Sequence, residues 1–184
     1  NDLVKTINWK ADVLARESIP TLMQMAWAIG SNDDAGAGTI LADILLTHPE
    51  DVYLQAAVLS ALRPEHQSAF LNSITKAANK NLVSSAFMKQ LAPVLVQGND
   101  DRVANILQHL ASPGEKGYAN WQFQAVASLP LMQQTELPEK YHPLVKPMYA
   151  AARKAIGEEA RSQEDRLAVM ALLIVLISTV ARDI

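Results

Sequence analysis

The chain has 184 residues, 49% of them apolar and 19% charged, with a formal net charge of −3. That length and apolar content suffice for a buried core and exclude a disordered chain. The 16 lysines and arginines are spread thinly, so no clustered basic face for nucleic acid is expected. With no cysteine, these residues hold no disulfide, thiolate metal site or c-type haem attachment, and either redox compartment is compatible.

Taken in order, Leu3, Val4, Ile7, Trp9, Val13 and Leu14 are apolar at helical spacing but open without a cap. They read as the tail of an element begun upstream. The first residue is Asn1 and no signal peptide follows, which predicts a processed product or a segment of a longer protein. Ser18-Ile19-Pro20 then forms a helix start, with an N-cap oxygen and a first-turn proline. Behind it Ile19, Leu22, Met23, Ala26, Trp27 and Gly30 make one helical face, with Met25 and Ile29 as an apolar flank. Ser31-Asn32-Asp33-Asp34 is expected to end that helix and cap the next, whose stripe is Ala37, Ile40, Leu41, Ile44 and Leu45.

A third helix is predicted from Glu50-Asp51, burying Leu54, Ala57, Val58, Ala61 and Leu62. Arg63-Pro64-Glu65 breaks the chain, and Phe70, Leu71, Ile74, Ala77 and Ala78 face a fourth helix inward. Helix five spans 82–96, with Pro93 predicting a kink or early end. Gly98-Asn99-Asp100-Asp101 stops it and caps helix six, whose stripe is Val103, Ile106, Leu107, Leu110 and Ala111. Helix seven is expected over 118–131, then an irregular stretch 130–147 with four prolines, then helix eight over 144–156. Ser162-Gln163-Glu164-Asp165 caps helix nine, within the most apolar run, 167–181. That run is shorter than the ~20 residues of a membrane span, so a core helix is expected.

The stretch Leu22-Met23-Gln24-Met25-Ala26-Trp27-Ala28-Ile29-Gly30 recurs in shorter form. Leu54-Gln55-Ala56-Ala57-Val58-Leu59-Ser60-Ala61-Leu62 and Phe123-Gln124-Ala125-Val126-Ala127-Ser128-Leu129 echo it, and Met88-Lys89-Gln90-Leu91-Ala92 does so weakly. The glutamines are separated by 31, 35 and 34 residues. Such a period marks repeat architecture. No alternating strand pattern occurs. The expected fold is therefore all-α, a single domain over 1–184 built as an α-solenoid of stacked antiparallel helix pairs, HEAT/armadillo-like, with about nine helices. A closed helical bundle is the alternative.

Candidate chemistry is sparse. Gln24, Gln55, Gln90 and Gln124 are expected to tie helices to neighbouring backbone, with a polar row lining a ligand surface as the other reading. His48, His66, His109 and His142 show no metal-ligand spacing. Glu139-Lys140-Tyr141-His142 matches one Glu-x-x-His step, whereas carboxylate-bridged metal bundles use two such steps and two more glutamates. Gly36-Ala37-Gly38 precedes a helix but lacks the strand, third glycine and Lys-Ser pair of a phosphate loop. Asp33-Asp34 and Asp100-Asp101 read as caps and dipole partners more simply than as cation sites. No catalytic, cofactor-binding or metal residue is assigned.

The first repeat stretch, Thr39-Ile40-Leu41-Ala42-Asp43-Ile44-Leu45 and Asp51-Val52-Tyr53-Leu54-Gln55-Ala56-Ala57-Val58-Leu59-Ser60-Ala61-Leu62 resemble a HEAT-like region of large exported bacterial proteins. These are the planctomycete-type membrane-bound dehydrogenase proteins, also described as haem-binding. The resemblance covers about 18–78. Glu164-Asp165-Arg166-Leu167-Ala168-Val169 is similar to the start of a later repeat. It implies an exported or periplasmic setting, with a β-propeller preceding the repeats and a Cys-x-x-Cys-His haem domain following them. This chain contains neither motif.

The expected function is a non-catalytic helical-repeat scaffold for protein–protein or interdomain contacts, within a larger exported redox protein. Expected partners are a protein or neighbouring domains of the same chain, with neither nucleic acid nor a membrane span. Helix nine is apolar on nearly every side, so association through this C-terminal helix is a further expectation, as in a subunit adaptor. The alternative is a compact helical metal- or cofactor-binding enzyme domain built around His142 and Glu139.

Overall fold

The computed structural model describes residues 11–34, 36–96, 100–114, 117–133, 137–156 and 163–180. Among them the chain is all-helical, and two compact units divide it, Asn1–Ser84 and Ser85–Ile184. The opening apolar residues 1–10 lie outside the described ones, and a single helical turn, Ala11–Leu14, is what remains of the first predicted element.

The first unit holds α1 (Ile19–Gly30), α2 (Ala37–Thr47), α3 (Val52–Ala61) and α4 (Gln67–Ala78). Ser18 caps α1, its Oγ accepting from the Thr21 N–H at 3.4 Å, and Pro20 sits in the first turn where no N–H is needed. Asp51 caps α3 more tightly, its Oδ1 accepting from the Tyr53 and Leu54 N–H groups at 3.0 and 2.8 Å. The start of α2 differs from expectation. Gly36 occupies the cap position without a side-chain bond, and the acids upstream shape the turn instead. Asp34 Oδ1 accepts from the Gly36 N–H at 2.8 Å, and Asn32 Oδ1 from the Asp34 N–H at 3.0 Å. Asn and Asp side chains do this wherever a backbone N–H two residues on is free.

Packing in this unit runs between alternate helices: α1 lies on α3 and α2 on α4, each more extensively than on its hairpin partner. The core is built from Leu22, Ala26, Ile29, Leu41, Ile44, Leu45, Leu54, Val58, Phe70, Leu71 and Ile74, all buried. Trp27, expected inside, is 45% exposed. Its indole Nε1 donates to Ser60 Oγ at 3.2 Å, so the ring lies along the edge of the α1–α3 contact with its polar atom satisfied. The turn after α1 is fastened to the one after α3. His66 Nε2 donates to the Asn32 carbonyl at 2.7 Å, and Arg63 pairs with Asp33 at 2.7 Å and Glu65 at 2.9 Å.

The second unit holds α5 (Ser85–Leu95), α6 (Asp100–Leu110), α7 (Asn120–Ala127), α8 (His142–Ile156) and α9 (Gln163–Val180). Here α7 packs against both α5 and α9, with α6 beside α7 and α8 beside α9. Helix five starts three residues later than predicted and continues two residues past Pro93, whose missing N–H falls in the last turn. Helix seven stops at Ala127, short of the predicted 131. The Ser128 N–H and Oγ both turn back to the Ala125 carbonyl, and Pro130 opens a 3-10 turn, Pro130–Gln133. Helix eight begins at His142, two residues before the predicted 144, so Pro143 joins Pro147 inside the helix. The predicted caps at 98, 99 and 162 lie outside the described residues.

Two glycines in the first unit mark backbone-level contact. A Cβ on Gly38 would collide with the His66 carbonyl oxygen and lie 2.9 Å from the Phe70 nitrogen. One on Gly30 would collide with the Ala61 carbonyl oxygen and lie 2.6 Å from the Ala61 Cβ. Gly36 is different, because a Cβ there meets the flexible Asp34 carboxylate at 3.2 Å. A mid-helix Gly→Ala change ordinarily stabilises by up to about 1 kcal/mol. At Gly38 overpacking against backbone outweighs that gain, and Gly38→Ala is expected to destabilise by about 2 kcal/mol. Gly36→Ala should shift stability by less than about 1 kcal/mol. Urea denaturation of the two variants checks the contrast.

Candidate functional site

The outward stripes of three helices in the second unit form a groove. α5 buries Phe87, Met88, Leu91, Ala92 and Leu95, which turns Ala86, Lys89, Gln90 and Pro93 outward at i, i+3, i+4 and i+7. α7 buries Trp121, Gln122, Phe123, Ala125 and Val126 and leaves Gln124, Ala127 and Ser128 on the open side. α9 buries Ala168, Val169, Leu172 and Leu173 and adds Leu167 and Ala171 to the rim. The groove is an open trough with a volume of about 850 Å³.

Its lining carries few ionisable groups. Lys89 is the charged side chain among the described lining residues, and no histidine or carboxylate stands among them. Ser128 Oγ shares its one proton between the Lys89 carbonyl at 3.0 Å and the Ala125 carbonyl at 2.7 Å, fastening the end of α7 to α5. Gln90 and Gln124 carry amides with no hydrogen-bond partner among the described residues. Four alanines keep the floor low.

The periodic glutamines therefore separate into different roles. Gln55 is buried and Nε2 donates to the Pro49 carbonyl at 2.6 Å, the tie expected of all four. Gln24 and Gln90 are exposed and Gln124 is half-buried, so the expected tie does not form at these three. The tie in the second unit is made by Gln122, which the periodicity passed over. Its Oε1 accepts from the Ala119 N–H at 2.9 Å, and Nε2 donates to the Leu110 and Ser112 carbonyls at 2.9 and 2.7 Å. The available signal was position: Gln55 and Gln122 both stand within the first four residues of their helices, where a side chain reaches back to the preceding loop.

The other candidates resolve into structural roles. His142 Nε2 donates to the Leu137 carbonyl at 2.8 Å, and Glu139 is exposed on the 3-10 turn Glu139–Tyr141. His66 is fully buried in the turn-to-turn bond described above. Gly38 is a packing contact, Asp33 an ion-pair partner, and Asp34 a turn former. Asp100 and Asp101 stand in the first turn of α6, and their side chains lie outside the described ones. Among the described residues no three His, Cys, Asp or Glu side chains gather as a metal site would require. Asp43 on α2 and Tyr118 before α7 are both pushed up by burial, but neither touches the groove.

Beside the groove, α9 exposes an apolar row: Leu167 is 58% exposed, Met170 43% and Ile174 66%. The spacing of three and four residues is that of a helix–helix seam. No described helix is long and apolar enough to cross a membrane. No family model matches the chain, and neither a curated protein nor a solved structure matches it.

Two measurements test these assignments. Gln122→Ala strips partners from two carbonyls and an N–H and is expected to cost about 2–3 kcal/mol, against less than about 0.5 kcal/mol for Gln124→Ala. Denaturation midpoints of both variants provide the comparison. Ile174→Glu should leave the helical circular dichroism intact and reduce binding of an apolar fluorescent dye. Unchanged dye binding would mean that this row is not the accessible apolar surface.

Proposed function

We propose that the helix pairs of each unit are repeats of a HEAT-like solenoid acting as a non-catalytic scaffold, which holds a protein partner or a neighbouring domain of the same chain. The observation that carries this reading is the stacking of alternate helices, α1 on α3, α2 on α4 and α5 on α7 on α9. A closed up-and-down bundle buries each helix chiefly against its sequence neighbours. Repeat stacking instead brings equivalent helices side by side, and their outward stripes then join into one continuous surface. The groove over α5, α7 and α9 is such a surface, and its lining offers amides, one ammonium and low alanines in place of an acid–base pair.

From the resemblance over 18–78 we infer a setting in an exported or periplasmic redox protein of the planctomycete dehydrogenase type, where the scaffold would space or dock the propeller and haem domains. The exposed apolar row of α9 supplies a second contact surface, to be covered by a neighbouring repeat or subunit.

A photo-crosslinking amino acid at Ala171, in the full parent protein, tests the scaffold role. It is expected to join α9 to a different domain or subunit, while the same group at exposed Asn72 on α4 gives no such product. Equal labelling from both positions, or none from Ala171, would remove the groove as a contact surface.

A further inference from the structure

We propose that the groove across α5, α7 and α9 seats an extended peptide segment of acidic character, an inference that rests on reading the groove as a protein-contact surface. The amides of Gln90 and Gln124 stand on successive helices of one floor and have no partner among the described residues. Each offers two donors and an acceptor. An extended segment carries free N–H and C=O groups at every residue, whereas a helical one has most of its own already paired. Exposed Gln90 and half-buried Gln124 can therefore pair with an extended main chain, whereas a helix offers them few free groups.

The floor beside them is shaped for close approach. Ala127 and Ala171 end at Cβ, so a main chain can descend to the level of the glutamine amides. Axes of packed helices lie ~8–10 Å apart, so crossing from α5 over α7 to α9 spans ~16–20 Å. At ~3.3 Å per residue this is the reach of about six extended residues. Lys89 is the charged group among the described lining residues, with no carboxylate to offset it, so an acidic side chain is attracted and a basic one repelled. Leu167, largely exposed at the α9 edge, provides an apolar landing for one anchoring side chain. Charge and main-chain matching together favour an acidic strand over an amphipathic helix or a second copy of this chain.

Panning a phage-displayed library of random peptides, about twice that length, against the whole chain tests the proposal. The expected winners are acidic, lack apolar residues at helical spacing, and bind as synthetic copies. Gln90→Ala and Gln124→Ala should each weaken such a peptide about fivefold, the worth of one net hydrogen bond. Lys89→Glu should weaken it about tenfold, since an attraction is lost and a repulsion gained. Ala171→Trp, which fills the groove from an exposed position, should abolish binding. Ala127→Gln fills it from α7 should the first variant alter the circular dichroism.

Each contrary outcome overturns a different part. Winners with apolar residues at i, i+3 and i+4, or no winners at all, overturn the extended acidic occupant while leaving the Ala171 cross-link free to succeed. Winners that bind Ala171→Trp as well as the parent overturn the groove itself. Self-association abolished by Ala171→Trp replaces the peptide with a second copy.

Discussion

Two helix pairs can share a core only if their axes come close enough for apolar side chains of both to interlock. In the first unit that closeness is set by Gly30 and Gly38, each pressed against the backbone of the next pair. One contact lies at the end of α1 and the other at the start of α2, so together they position both helices of the pair. The buried side chains between them, from Leu22 and Leu41 to Phe70 and Ile74, each contribute roughly 1.5–3 kcal/mol only because the layers meet at this distance. A methyl group at Gly38 would hold the layers apart and loosen all of them together. The bonds of His66 to the Asn32 carbonyl and of Arg63 to Asp33 then fix the angle at which the turns meet.

The second unit solves the same problem with a different side chain. Gln122 lies buried at the start of α7 and uses its whole amide on the loop leaving α6, so three backbone groups that would otherwise be stranded are satisfied by one residue. A buried amide with this many partners is costly to lose and poorly replaced, because no other side chain of that length offers donors and acceptor in one plane. Ser128 plays a smaller part at the other end of α7, where its hydroxyl reaches the Lys89 carbonyl and holds α7 against α5. The groove arises where α7 packs between α5 and α9, with the short side chains of Ala127 and Ser128 on the open side.

That origin explains the character of the surface. Residues left facing outward on a stacked row are those not needed for the core, and here they are alanine, glutamine, serine, proline, one leucine and one lysine. No histidine or carboxylate stands among these described lining residues beside the lysine and the serine. The apolar row of α9 completes the picture from the opposite chemistry, since Leu167, Met170 and Ile174 are held in water by a helix whose other face is already buried. Surfaces of this kind are commonly contact sites.

Much of the architecture was readable along the chain. Ser18, Asp51, Pro64 and the apolar stripes of α1 to α4 act within a few residues of themselves, so their spacing carries helix starts, ends and inward faces directly. The prolines depend on their setting: Pro143 falls in the first turn of α8, where no N–H is needed, whereas Pro147 and Pro93 each leave a carbonyl one turn back without its helical donor, and at Pro93 that carbonyl, on Lys89, is taken by the Ser128 hydroxyl at 3.0 Å. The site was readable only in part. The period drew attention to Gln90 and Gln124, which do line the groove, but assigned them the tying role that Gln55 and Gln122 perform. An amide has the same letter in either role. Helix periodicity determines which residues share a face, since that depends on local geometry alone. Whether a face meets a neighbouring backbone, as at Gly38, or open water, as at Gln90, depends on which helices stack, and only the tertiary structure decided that.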